Sequence, residues 1–182
     1  MTMPCATSLS RTNSAGGPSL VRPSPEMSMT CRFEAKPEFS KRWATVRLGS
    51  RNPYDVLRVA SMIERETKAP EERKLVSAVI WNRLAKGMPL GIDATLRYGL
   101  GIQGTRPLTA VELRNQTPYN TSVHKGLPPT PIGNPGLPSM QAAAHPAKVP
   151  FLYFVRKADC KSHFFTASAQ AFLNYPRAGL RC

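Results

Sequence analysis

Acidic residues are scarce in this chain of 182 residues: 11 Asp and Glu stand against 25 Lys and Arg, a formal net charge of +14. That shortage disfavours cationic partners and favours anionic ones such as nucleic acid, acidic lipid or a charged polymer. No tight run of five or more basic residues marks a nucleic-acid stripe, and a merely solvated basic surface competes with each of these readings. Cysteine is sparse too. Cys5, Cys31, Cys160 and Cys182 are widely scattered and show no metal-ligand spacing, so neither a zinc site nor a disulfide framework is expected. The three histidines share no spacing and make no metal site. Long hydrophobic runs are absent. The strongest, "VPFLYFV" at Val149–Val155, is too short to span a membrane and is broken by Pro150. No apolar stretch precedes Cys5, so neither a signal peptide nor a lipobox is visible. With no GxGxxG, P-loop or GxSxG, nucleotide and serine-hydrolase chemistry lack support and no cofactor is expected.

What is present divides the chain at about residue 50. Residues 1–50 are rich in Ser, Thr, Pro and Gly without an apolar period, and read as a disordered tail. Residues 51–182 read as one folded domain. Pro53 suits a first helical turn, and Val56, Val59, Ala60 and Ile63 then make one apolar stripe. A second helix runs from Pro70–Glu72 to Lys86, with Gly87 as its stop. "ATLRYGLG" holds a turn or two of helix, and Thr109 with Glu112 forms a capping box. "GLPPTPIGNPGLPS" has five prolines and must be a stiff, shaped loop. After a short helix, "SMQAAAH", two apolar segments, Phe151–Arg156 and His163–Ser168, flank a polar loop as a β-hairpin. The class is α+β: helices first, a long Pro-rich loop, then a C-terminal hairpin.

"ASMIERET" (Ala60–Thr67) sets two glutamates one residue apart. At about 100° per residue, Glu64 lies to one side of the apolar stripe, beside Ala60 and Leu57, and Glu66 lies on the other flank, near Val59 and Asp55. The two diverge, so this helix alone cannot supply a facing acid and nucleophile. Small, apolar neighbours would desolvate Glu64 and raise its pKa, as a general acid requires. The competing reading is two solvated carboxylates balancing Arg65, Lys68 and Arg73, and the pattern alone favours it, because perturbed carboxylates are rare. Asn82 is a buried hydrogen-bonding residue or a ligand contact, Asp93 a helix cap or a site residue, and Tyr119 and Asn120 a turn or a contact. His163, next to Phe164, opens a strand and could line a groove.

"IERET", "WNRL…GMPLGIDATLRYGLG", "TPYNTSVHKGLPPTPIGNPG", "AAAHPA", "LYFV" and "HFF", in this order, resemble the YceG-like family of endolytic murein transglycosylases over about residues 52–175. The resemblance implies cleavage of peptidoglycan glycan strands at the MurNAc–GlcNAc bond, leaving 1,6-anhydro-MurNAc ends. It implies Glu64 as the catalytic acid, with Glu66 as a supporting carboxylate. Asn82, Asp93, Tyr98, Tyr119, Asn120, His163 and Phe164 become expected substrate contacts, and the loop Gly126–Gly136 a rigid wall of the groove. Glycan strands are the implied partner, with peptidoglycan synthases alongside, and neither nucleic acid nor metal is expected. A single carboxyl suffices for the chemistry, because the sugar's own C6 hydroxyl is the nucleophile; its N-acetyl group can assist. Family members carry an upstream membrane helix and a LysM-like domain and work outside the cytoplasmic membrane. Neither segment is recognisable here, so the sequence is read as N-terminally truncated, unanchored and poorly active by itself. A second reading is an inactive murein-binding fragment of the same family. A third, resting only on charge, is a nucleic-acid binder.

Overall fold

The computed structural model describes residues 41–176 except 42 and 105; of the tail reading for 1–50, residues 1–40 lie outside the described residues, whereas Lys41, Trp43 and Ala44 are helical and Val46 is buried. Helix α1 (Pro53–Glu66) starts where Asn52 caps it by accepting from the Tyr54 and Asp55 N–H groups. Its apolar stripe is fully buried at Val56, Val59, Ala60, Met62 and Ile63. A 3₁₀ turn, Pro70–Glu72, leads into α2 (Arg73–Ala85), which buries Val76, Ala78, Val79 and Ile80. Gly87, at φ +62°, ends it in the left-handed conformation that glycine adopts without strain.

Three shorter helices follow: α3 (Asp93–Leu100), α4 (Ala110–Leu113) and α5 (Leu137–Ala144). The expected capping box is formed at α4, with Thr109 and Glu112 each bonding the other's backbone N–H. In α5 the run Ala142–Ala144 is buried, and such small side chains let it pack closely on α1 and α2. Its last-turn carbonyls are satisfied from outside: Trp81 Nε1 donates to Ala143 O at 2.9 Å, and Arg51 donates to Ala144 O at 3.0 Å.

Strands β1 (Tyr153–Arg156) and β2 (His163–Thr166) pair antiparallel, Tyr153 opposite Thr166 and Arg156 opposite His163. The fold is α+β, as the sequence implies. One face of the hairpin carries Phe154, Arg156, His163 and Phe165. The other face is covered by α6 (Ala169–Asn174), a helix that sequence pattern did not reveal, with Phe172 stacked on Tyr153 at 5.1 Å. Side chains of α2 hold the hairpin in place. Asn82 donates to Val149 O and Phe151 O at 2.8 and 2.9 Å, and Arg83 donates to Leu152 O.

Cys160, in the hairpin loop, is disulfide-bonded. The other three cysteines lie outside the described residues. No helix among the described residues is long and apolar enough to cross a membrane.

Candidate active site

Glu64 and Glu66 do diverge, but their surroundings are the reverse of the sequence expectation. Glu64 is exposed, and one of its oxygens accepts from the Gly136 N–H at 3.1 Å and from the Ser139 hydroxyl at 2.6 Å. Four residues of α1 at helical spacing bond the Pro-rich loop and the start of α5 in this way. Tyr54 donates to Pro129 O, Arg58 donates to Pro128 O, the Ser61 hydroxyl accepts from the Ile132 N–H, and Glu64 accepts from Gly136. Positions i, i+4, i+7 and i+10 share one helix face, so Glu64 is the last rung of a ladder that straps the loop along α1.

The desolvated carboxyl is Glu66. Burial pushes its pKa up to about 7, the negative charge of Asp93 adds to that rise, and Arg156, the backbone N–H of Ala94 and Arg65 act in the opposite direction. Glu66 sits in a cleft of about 380 Å³ lined also by Arg65, Asp93, Arg97, Phe154, Arg156 and His163. The cleft lies where the end of α1, the start of α3 and the inner face of the hairpin meet. His163 is fixed from behind by buried Glu72, whose carboxylate accepts from the His163 backbone N–H at 2.8 Å and lies 2.6 Å from Nδ1. With Nδ1 engaged, the ring presents Nε2 as its other polar atom, and its edge packs on Phe154.

Of the residues expected in the site, the structure brings Glu66, Asp93 and His163 together. The others have different surroundings. Asn120 is fully buried; its amide donates to Leu113 O and Asn115 O and its side-chain oxygen accepts from the Ser122 N–H, so it ties a turn and has no surface to offer a substrate. Asn82 is spent on the segment before β1, at the edge of another cleft. Tyr119 bonds Thr130 through its hydroxyl at 2.8 Å and packs against half-exposed Tyr98, their rings 5.2 Å apart. Phe164 faces away from the cleft and stacks on Tyr175 at 4.3 Å. The Pro-rich loop walls a separate cleft with Gln116 and His124 rather than that of Glu66. Arg65, Arg97, Phe154, Arg156 and the supporting Glu72 were not reached from the sequence. The one signal available for them was the two-residue alternation of Phe154 and Arg156 in a strand facing His163.

A model of the YceG-like family matches residues 26–177. The chain belongs to the YceG-like family. The match reaches upstream of residue 50, into the segment read above as a disordered tail. An endolytic murein transglycosylase of Bacillus subtilis (strain 168) is 41% identical over 106 residues, 58% of this chain and 29% of the relative. Another, of Streptococcus pneumoniae serotype 2, is 30% identical over 120 residues, 64% of this chain and 22% of the relative. The crystal structure of a yceG-like protein from Listeria monocytogenes superposes with a TM-score of 0.64 at 33% identity, covering 73% of this chain and 42% of that one. This YceG-like chain spans less than a third of the length of these two curated relatives.

Proposed function

We propose that the chain cleaves peptidoglycan glycan strands as an endolytic lytic transglycosylase, with Glu66 rather than Glu64 as its acid and base. The observation that carries this is the Glu66 carboxyl, pushed up to about 7 in an open cleft at the meeting of three elements. A carboxyl of that pKa is part protonated and part ionised at neutral pH, which suits a group that must give a proton and then take one back. The names of the murein-cleaving relatives supply the substrate class.

The steps need one carboxyl. Protonated Glu66 donates its proton to the glycosidic oxygen, and the bond from that oxygen to C1 of MurNAc breaks. Positive charge develops at C1 and the ring oxygen, and the negative charge of Asp93, in the same cleft, stabilises it. The Glu66 carboxylate then removes the proton of the MurNAc C6 hydroxyl as its oxygen bonds C1. The 1,6-anhydro ring closes, no water is consumed, and Glu66 ends protonated for the next turnover. His163, held by Glu72, offers Nε2 to a sugar hydroxyl. Membrane anchoring, a site of action in the envelope and association with peptidoglycan synthases belong to the same reading.

Asp93 beside Glu66 also favours a second reading, hydrolysis, with Asp93 positioning a water or acting as nucleophile. Digestion of isolated murein followed by mass spectrometry separates the two. Transglycosylation gives anhydro ends, lighter by one water than the reducing ends of hydrolysis. Glu66→Gln is expected to lower the rate at least about 100-fold, the scale of general acid catalysis. Glu64→Gln, which disturbs only the last rung of the loop strap, is expected to retain most activity. The reverse order of effects would return the acid to Glu64.

A further inference from the structure

The Glu66 cleft carries more positive charge than a neutral sugar calls for. Arg65 comes from the end of α1, Arg97 from α3 and Arg156 from β1, and all three line it. When Glu66 is protonated, as the first step requires, these three guanidiniums face a single negative charge, that of Asp93. Glu72 lies behind His163 with both carboxylate oxygens taken by that residue, so it does not neutralise them. Arg97 is braced by bonds to Gly104 O and Arg106 O. The Arg65 stem runs 3.8 Å from where a side chain on Gly133 would begin, and the guanidiniums of Arg65 and Arg156 make no hydrogen bond among the described residues. Charged donors from three elements thus converge on one cleft, and with Glu66 protonated their positive charge exceeds the negative charge around them, which suits an anionic ligand.

We propose that Arg65, Arg97 and Arg156 form a carboxylate subsite that takes the free carboxylates of the peptide stem carried by the MurNAc residue being cut. This deepens the transglycosylase reading and rests on it for the identity of the polymer. The chemistry fits: a guanidinium forks two donors onto a carboxylate, and the stem is the one part of the repeating unit that bears carboxylates. A stem seated there brings its own sugar to Glu66. It also cancels the positive charges of Arg156 and Arg65, which act to lower the acid's pKa, while Asp93, Arg97, His163 and the Ala94 N–H remain around it. Stem binding therefore keeps the acid protonated to higher pH.

Binding is measured with the full chain carrying Glu66→Gln, which does not cut and is isosteric with the protonated acid. Three ligands are compared: uncross-linked strands with their peptide stems, the same strands stripped of peptide by an amidase and with the lactyl carboxylates so exposed capped as amides, and stem-bearing strands whose carboxylates have been amidated. Stem-bearing strands are expected to bind roughly tenfold or more tightly than either of the others, the scale of charge-assisted hydrogen bonds. Adding Arg156→Gln or Arg65→Gln shrinks that gap, and Arg156→Lys shrinks it less. Equal affinity for the three ligands overturns the proposal, as does a gap that survives the loss of both arginines. The amidated strands test it on a chain with no arginine altered, so a variant that fails to fold does not block the answer. Anhydro ends released from wild-type digests without any preference among ligands would sink the subsite and leave the proposed function standing. A stem-dependent gap without any cleavage would uphold the subsite and sink the proposed function.

Discussion

Two residues apart on one helix, Glu64 and Glu66 point about 200° from each other, and everything that separates their roles follows from what each meets. Glu64 meets backbone and hydroxyl donors of the loop and α5, whereas Glu66 meets Asp93 and the walls of a cleft. The raised pKa of Glu66 has a sign that can be worked out. A carboxyl whose folded pKa lies above its unfolded value of 4.5 binds its proton more tightly in the native state. Its contribution is fully present below that value and is lost as the pH climbs to about 7. Glu66→Gln removes a charge that is costly to bury. The variant is therefore expected to match the parent near pH 4 and to exceed it at pH 8, by up to a few kcal/mol, as the pKa shift implies. Urea midpoints across that range would show it, and a constant difference would deny that Glu66 is desolvated. Activity should follow the same proton, with kcat/KM falling as the pH rises through about 7 in the free enzyme. Glu72→Ala leaves the buried His163 N–H and ring nitrogen without their partner, a change expected to cost about 3 kcal/mol and to lower activity by loosening the cleft wall; chemical denaturation beside the murein assay reads both.

At the scale of elements, the helices were legible because one stripe at 3–4 spacing decides what they bury, and α1 buries the residues its stripe names. Capping chemistry was legible for the same reason: Thr109 and Glu112 need only each other. The helix α6 was not, since its six residues bury no side chain fully and it is held by a Ser168 cap and ring stacking on the hairpin. Nor was the composition of the cleft, because Arg65, Arg97 and Arg156 come together only when three elements pack. Asn120 shows the limit from the other side. A motif position carries no mark telling a substrate contact from a turn tie, and here the polar side chain is used up internally. The Pro-rich loop was read correctly as needing a fixed shape, but its anchor is α1 rather than its prolines alone. Ser61 shows how that anchor works: its hydroxyl donates to Arg58 O at 2.7 Å and accepts from the Ile132 N–H at 3.0 Å. Ser61→Ala orphans a buried backbone donor, at an expected cost of about 1–3 kcal/mol, and faster hydrogen exchange at Ile132 than in the parent would locate the loss in the loop. Gly99 sets a second close approach. A side chain added there would stand 2.6 Å from Tyr119 Cβ and 3.0 Å from Thr117 Oγ1. Gly99→Ala must push the 117–121 turn away from α3, for about 1–3 kcal/mol, while the Glu66 cleft, which neither residue lines, keeps its pH dependence.

Over the whole molecule the net charge of +14 would, on the proposed reading, bear on the polymer rather than on the bond to be cut. Besides the arginines of the cleft, Arg51 and Lys148 line a cleft beside the end of α5, and Arg47 and Lys74 line another, with His145 common to both. An anionic strand can thus meet positive charge well beyond the reacting sugar, and such contacts add affinity without touching the transition state. Salt separates the two contributions. At about 0.1 M the screening length is about 10 Å, so exposed lysines and arginines lose their pull on a strand as salt rises. The proton transfers at Glu66 pass between atoms in contact and are screened far less. Raising salt from 50 to 500 mM is therefore expected to raise KM for soluble murein strands severalfold, or to release the chain from sedimenting sacculi, while kcat at saturation changes little. A kcat that fell in step with affinity would mean that the distant charges hold the strand in register with Glu66. Affinity indifferent to salt would mean that the basic surface serves solubility alone and that recognition belongs to the cleft.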